Sequence, residues 1–218
     1  MSLEKSSNRD PDAFLSQARY LGISIESSGL DEIKDFVDLE EFFLAATYCL
    51  TSSRIAEGFL CWIIKYGHLL SPSKVRRLIR ANLQFDQAVL GGYIAYFDKF
   101  GVNKKQWKIL GPFLKRSKNQ KALVPGPLPK NMNPYFQKYN IAAYNYQLDS
   151  EKFLVPTSYV FKNCLELKNR ALFGSAVNAD VASYLARHPE ATPYEISKAT
   201  CNHKARVFEV FRDVKAAI

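Results

Sequence analysis

Residues Thr192-Pro193-Tyr194-Glu195 pack three helix-start signals into four positions. Threonine is a good cap, proline suits a first helical position that needs no amide, and Glu195 can reach back to the cap from three residues on. A helix is expected to start here and to bury Ile196 and Ala199. Upstream, Val177 to Arg187 places Val181, Tyr184 and Leu185 on one helical face. Downstream, after a break at Thr200-Cys201-Asn202, His203 to Ala217 repeats Val207, Val210, Phe211 and Val214 at core spacing. Three helices with a tight turn between the last two form a helix-turn-helix, a unit whose final helix usually lies in the DNA major groove.

The same stretch reads Arg170-Ala171-Leu172-Phe173-Gly174, then Ala179-Asp180-Val181 with Tyr184-Leu185, then Glu195-Ile196 with Ala199-Thr200. In these residues it resembles the MarR-type winged-helix domain of bacterial predicted transcriptional regulators with a helical region ahead of the winged helix. The resemblance covers about residues 165–218, under a quarter of the chain. It implies a DNA-binding regulator. Cys201 stands where such domains often carry a turn glycine, Glu209 occupies a recognition-helix position that is commonly basic, and the two wing strands have no counterpart before Ile218.

Charge points the same way. The net charge is +9, yet Lys99 to Leu148 contains ten Lys or Arg and no Asp or Glu. One segment therefore carries the whole imbalance, and such asymmetry suits a polyanionic partner as well as a merely solvated surface. The longest apolar stretches, Phe42 to Leu50 and Gly58 to Ile64, are far shorter than a membrane span. The N-terminus has no apolar signal core, so the expected location is the cytoplasm. Cys49, Cys61, Cys164 and Cys201 are widely spaced and read as reduced, mostly buried thiols.

The pattern along the chain divides as follows. Residues 1–11 read as a disordered tail, and 12–114 as a helical bundle with starts at Ser52 or Ser53 and at Ser71-Pro72. In the latter helix Val75, Leu78 and Ile79 read as the buried face and Lys74, Arg76, Arg77 and Arg80 as the outside. Residues 115–133 form a basic, proline-rich linker, with a domain boundary near Lys130. Residues 134–218 hold a β-element and the winged-helix-like domain. Tyr139 to Leu148 and Phe153 to Val160, separated by Asp149-Ser150-Glu151, read as a β-hairpin; the alternative is that Ser158 to Lys168 is already helix. The expected class is thus mainly α, a helical bundle plus a winged-helix-like domain with a small hairpin.

Candidate site residues follow from this layout. With Val207, Val210, Phe211 and Val214 inward, His203, Lys204, Arg206, Phe208 and Arg212 are left for DNA, the cations for guanine edges or phosphates and Phe208 for a thymine methyl. Thr192 and the amides of its helix start can hold a phosphate, with Lys198 nearby. Lys115, Arg116, Lys118 and Lys121 supply salt-sensitive phosphate contacts. Tyr135, Phe136, Tyr139, Tyr144 and Tyr146, interleaved with Lys130 and Lys138, can stack on single strands, but their spacing fits a half-buried hairpin better.

Enzyme signals do not assemble. Leu172-Phe173-Gly174-Ser175 matches the opening turn of small nucleotidyltransferases, but Asp180 lacks the second carboxylate that two magnesium ions need. Cys201 and His203 are too few for a closed zinc site, and the acidic pairs Asp31-Glu32 and Glu40-Glu41 suit first helical turns. The expected function is therefore DNA binding without enzymatic activity, cofactor or metal. The helical bundle would serve a homodimer or protein partner. Competing expectations are a degenerate winged helix that docks a protein and an antitoxin-like repressor.

Overall fold

Local side-chain caps set most of the helix starts. In the computed structural model, which describes residues 10–25, 33–97 and 104–217, α1 (Pro11–Tyr20) begins behind Asp10, whose carboxylate accepts the Asp12 amide. Asp38 caps α2 (Leu39–Ala45), Ser52 caps α3 (Ser53–Tyr66), and Ser71 caps α4 (Pro72–Arg80) with Pro72 in the first turn. Each acceptor satisfies an amide that the helix itself cannot. Asp86 does the same at the start of α5 (Gln87–Phe97). A short α6 (Lys104–Trp107) then runs into a 3-10 turn over Lys108–Phe113. Residues 1–9 of the expected tail, Asp31-Glu32, Lys99 and Ile218 lie outside the described residues.

Aromatic side chains bind these helices together. The Phe43 ring centroid lies 5.4 Å from that of Trp107, 5.9 Å from Tyr93, 6.0 Å from Phe97 and 6.3 Å from Phe59. Such stacked and tilted pairs each add about 0.5–1.5 kcal/mol beyond their buried area. The Gly91-Gly92 pair lets α5 approach the aromatic layer closely. A Cβ on either would lie 2.3 Å from the Tyr139 or Phe136 ring. The core formed in this way runs from Phe14 to Leu167 and takes in Phe136, Ile141, Phe153 and Val160 beyond Lys130. Between them, the segment of the expected linker buries Leu123 and Val124.

The expected β-hairpin is not formed. Instead β1 (Lys121–Ala122) pairs in parallel with β2 (Ile141–Ala142), just after a short α7 (Pro134–Gln137). Asp149-Ser150-Glu151, which reads as a hairpin turn, is a helix start: Asp149 accepts the Glu151 and Lys152 amides and opens α8 (Ser150–Phe153). Pro156 then precedes α9 (Thr157–Asn163). Turn and cap use the same residue types because both need a short side chain that bonds its own backbone. The competing expectation, helix from Ser158, is nearer the structure.

Four helices complete the chain: α10 (Leu165–Phe173), α11 (Ala176–Arg187), α12 (Pro193–Thr200) and α13 (Lys204–Ala217). The last three pack on one another around a second, smaller core of Val181, Leu185, Ile196, Val207 and Val210. The capping box forms as the sequence predicts, with Thr192 and Glu195 bonding each other's backbone. The unit so described consists of these three helices. No helix is long and apolar enough among the described residues to cross a membrane.

Candidate nucleic-acid interface

The turn between α12 and α13 is held from behind by the N-terminal helices. Cys201 adopts a left-handed backbone at φ 51°, the conformation a glycine would take without strain. Arg77 of α4 donates to the Cys201 carbonyl at 3.2 Å and to the Asn202 side-chain oxygen at 2.8 Å. The buried Asn202 amide in turn donates to Asp180 at 2.8 Å and to Thr200 at 3.1 Å. The three-helix unit therefore presents α13 from a braced support.

That brace continues into a cluster of buried charges. Lys74 is fully buried, with its ammonium 2.5 Å from Asp180, 2.7 Å from Asp38 and 3.4 Å from Glu40. Arg170 bonds Glu40 with both terminal nitrogens, at 2.7 and 2.8 Å, and Asp180 at 2.8 Å. Glu40 also accepts the Ser71 amide. The assignment of Lys74 to the outside of α4 is thus corrected: it stands one turn before Leu78 on the buried stripe, and three carboxylates make its burial tolerable. Arg77 is likewise no simple solvent-facing residue.

Burial and the opposing charges together set the protonation of this cluster. Burial opposes ionisation of Glu40, but Arg170 and Lys74 overcome it and bring the carboxyl down to about 2. Burial wins at Asp38, helped by Glu40, Glu41 and Asp180 against Lys74, and pushes it up to about 7. Lys74 and Arg170 are held above their usual values by the surrounding carboxylates despite burial. Two cations face three carboxylates, so a proton on Asp38 neutralises the group.

A second clamp ties α11 to the first helix. Arg187 donates to Glu166 at 2.9 Å and to the Tyr20 hydroxyl at 2.5 Å, while Tyr20 donates to Glu166 at 2.6 Å. Burial and the Glu166 carboxylate keep the Tyr20 hydroxyl protonated well above its usual range.

On the outer side, α13 divides into distinct faces. Val207, Val210 and Val214 point to the core. Lys204, Phe208 and Arg212, spaced by four, form an exposed strip, with exposed His203 and Lys198 at its start. Lys204 lies over Tyr194 at 5.2 Å and over Phe208 at 5.7 Å. Tyr194 is 59% exposed and was not among the sequence candidates; its position off the apolar stripe of α12 was the available signal. Arg206 stands on the opposite flank of α13, paired with Glu209 at 2.6 Å.

The remaining candidates are placed less favourably. Both Thr192 polar groups are engaged by Glu195, whose carboxylate is held below its usual range by those hydrogen bonds and occupies the α12 start as an anion would. Lys115, Arg116 and Lys118 are exposed, whereas Lys121 is paired with Asp86. This segment is tied by hydrogen bonds to Tyr139, Asn140 and Ala142, while α13 packs on α11 and α12. The geometry sets Lys204, Phe208 and Arg212 in one exposed strip with His203 at its start, leaves Arg206 on the other flank and Thr192 engaged by Glu195, and anchors the basic segment to other elements.

Comparison with family models, with curated proteins and with solved structures finds no match for this chain.

Proposed function

We propose that this chain binds duplex DNA through α13, with the strip Lys204, Phe208 and Arg212 as the contacting face and Lys198 and His203 at its leading edge. The observation that carries this reading is the exposed basic and aromatic strip on the last helix of a braced three-helix unit. Cations at these positions suit phosphates and guanine edges, and a ring suits a thymine methyl. The role follows as a transcriptional regulator with no catalytic step. Arg206 is the weaker candidate, since Glu209 already neutralises it.

Fluorescence anisotropy on random duplex DNA at several salt concentrations tests the reading, with Lys204→Ala/Arg212→Ala alongside. Wild type is expected to bind with a steep salt dependence. Losing two phosphate contacts should reduce the log–log slope by about 2. An absence of binding at low salt, or an unchanged slope in the double variant, removes α13 as the contact surface. One observation favours a second reading, a protein-docking module: Leu172, Phe173, Tyr194 and Phe208 are all exposed on the C-terminal helices.

A further inference from the structure

The fold uses the aromatic run from Tyr135 to Tyr146 unevenly. Phe136 and Tyr139 fill the space left by Gly92 and Gly91 of α5, and Tyr135 meets Tyr96 edge-on with ring centroids 5.7 Å apart. Tyr144 and Tyr146 are left over. Both are half-buried, with ring centroids 6.0 Å apart and planes inclined at 51°. They line a cleft of about 810 Å3 between the start of α3 and the segments 130–131 and 144–147. Cavities of roughly 300–1,000 Å3 are the size of small-molecule sites.

Both rings are held in place by the surrounding fold. Tyr146 packs on the main core, and its hydroxyl oxygen is buried beside Ser53 and Glu57. The Tyr144 hydroxyl donates to the Pro127 carbonyl at 3.4 Å. A wall fixed in this way loses little freedom when a ligand settles on it. Glu57 lines the same cleft from α3, half-buried and without an ion pair or hydrogen bond among the described residues. Burial raises its carboxyl above the usual range, with Lys152 opposing that shift and Asp149 adding to it.

Charge and chemistry narrow the class of ligand. The lining carries one anion, Glu57, and one cation, Lys130, and the outer pair Lys152 and Asp149 is balanced as well. A phosphate group would need a surplus of cations, and an aromatic cage for an ammonium would need Lys130 elsewhere. The side-chain amides of Asn131, Asn145 and Gln147 each offer both donors and an acceptor. An apolar ligand would strip these groups of water and return no hydrogen bond. Two fixed rings, three amides and a carboxylate at zero net charge suit a neutral ring compound rich in hydroxyl groups. Its C–H face lies on the rings, and its hydroxyls bond the amides and the carboxylate.

We propose that this cleft binds a neutral saccharide, one sugar ring seated on Tyr144 and Tyr146, with Glu57 accepting hydroxyl hydrogen bonds and Asn131 and Asn145 bonding the rim of the ring. The site uses no residue of the C-terminal three-helix unit, so it stands or falls apart from the DNA reading.

Saturation-transfer NMR on the full chain tests it. The probes are glucose, galactose, N-acetylglucosamine, maltose and cellobiose at millimolar concentration, with choline, adenosine and inorganic phosphate as counter-probes. At least one saccharide is expected to receive saturation. Titration with that saccharide should show affinity reduced about tenfold or more in Glu57→Gln and in Tyr144→Ala. Asn145→Ala, at an exposed position, should weaken binding to a smaller extent, and thermal melts establish that each variant is folded. Silence from every saccharide overturns the proposal, as does a response confined to choline, adenosine or phosphate. Saccharide binding that is unchanged in all three variants overturns the assignment to this cleft.

Discussion

Replacing Asp38 with asparagine asks whether the buried charge cluster carries a proton at neutral pH. Asp38 does two things in the fold. One oxygen caps α2 by accepting the Glu40 and Glu41 amides, while the other faces Lys74 at 2.7 Å. The groups around it are Lys74, Glu40, Glu41 and Asp180, with Arg170 bridging the last two buried acids, Glu40 and Asp180. Burial lifts Asp38 from the usual 3.8 to about 7. Between those values the folded chain holds a proton that the unfolded chain has lost. Stability must therefore fall as pH rises from about 4 to about 7 and level off above, by about 4 kcal/mol at ~1.4 kcal/mol per unit. Glu40 acts in the opposite sense. Its folded value lies near 2, so its contribution is fully present above its usual 4.5 and is lost as pH falls below that. Together the two groups set a stability maximum between about pH 4 and 5. The asparagine side chain retains a capping acceptor but cannot titrate. Urea unfolding followed by circular dichroism across this pH range should show the wild type losing stability toward neutrality and Asp38→Asn largely free of that loss. A flat or rising wild-type curve between pH 4.5 and 7, or the same slope in both proteins, would refute the protonated cluster.

Other perturbations probe the rest of the fold. Lys74→Met leaves three buried carboxylates with Arg170 alone; it should cost about 3–5 kcal/mol in denaturant unfolding, and a loss below 1 kcal/mol would contradict the network. Cys201→Gly relieves a left-handed backbone at the α12–α13 turn and should raise stability by up to about 1 kcal/mol, read as a small increase in Tm; a decrease would mean that the Cys201 packing outweighs the strain. Gly92→Ala drives a methyl into the Phe136 ring and should destabilise by about 1–3 kcal/mol; a neutral effect would mean that α5 does not pack as closely as the distances indicate.

What could be read in advance was local. Thr192, Pro193 and Glu195 interact within a four-residue window, so their capping box is legible from the order of residues alone. The same holds for Ser52, Ser71-Pro72 and the core stripe Val207, Val210 and Val214 of α13. Asp149 shows the limit of such signals, because a cap and a hairpin turn demand the same residue and only the surroundings of Phe153 and Val160 choose between them. The candidate strip on α13 was also legible, since helical spacing leaves Lys204, Phe208 and Arg212 outside once the valines are placed inside. Tyr194 was missed because its partner Lys204 belongs to another helix.

Charge was where one-dimensional reasoning failed. Lys74 lies on the buried stripe by spacing, yet its ammonium argued for solvent until Asp38, Glu40 and Asp180 were known to converge on it. Lys74 and Asp180 are 106 positions apart, Glu40 and Arg170 130, and Tyr20 and Glu166 146. A helix start depends on neighbours three residues away, and the sequence by itself determines it. A buried ion depends on partners that only tertiary packing delivers, because its desolvation is offset only once the opposing charges arrive in space. So the sequence alone determined the helices of the C-terminal unit and the outward face of α13. The tertiary structure decided which charges were sacrificed to the interior to hold that face in place.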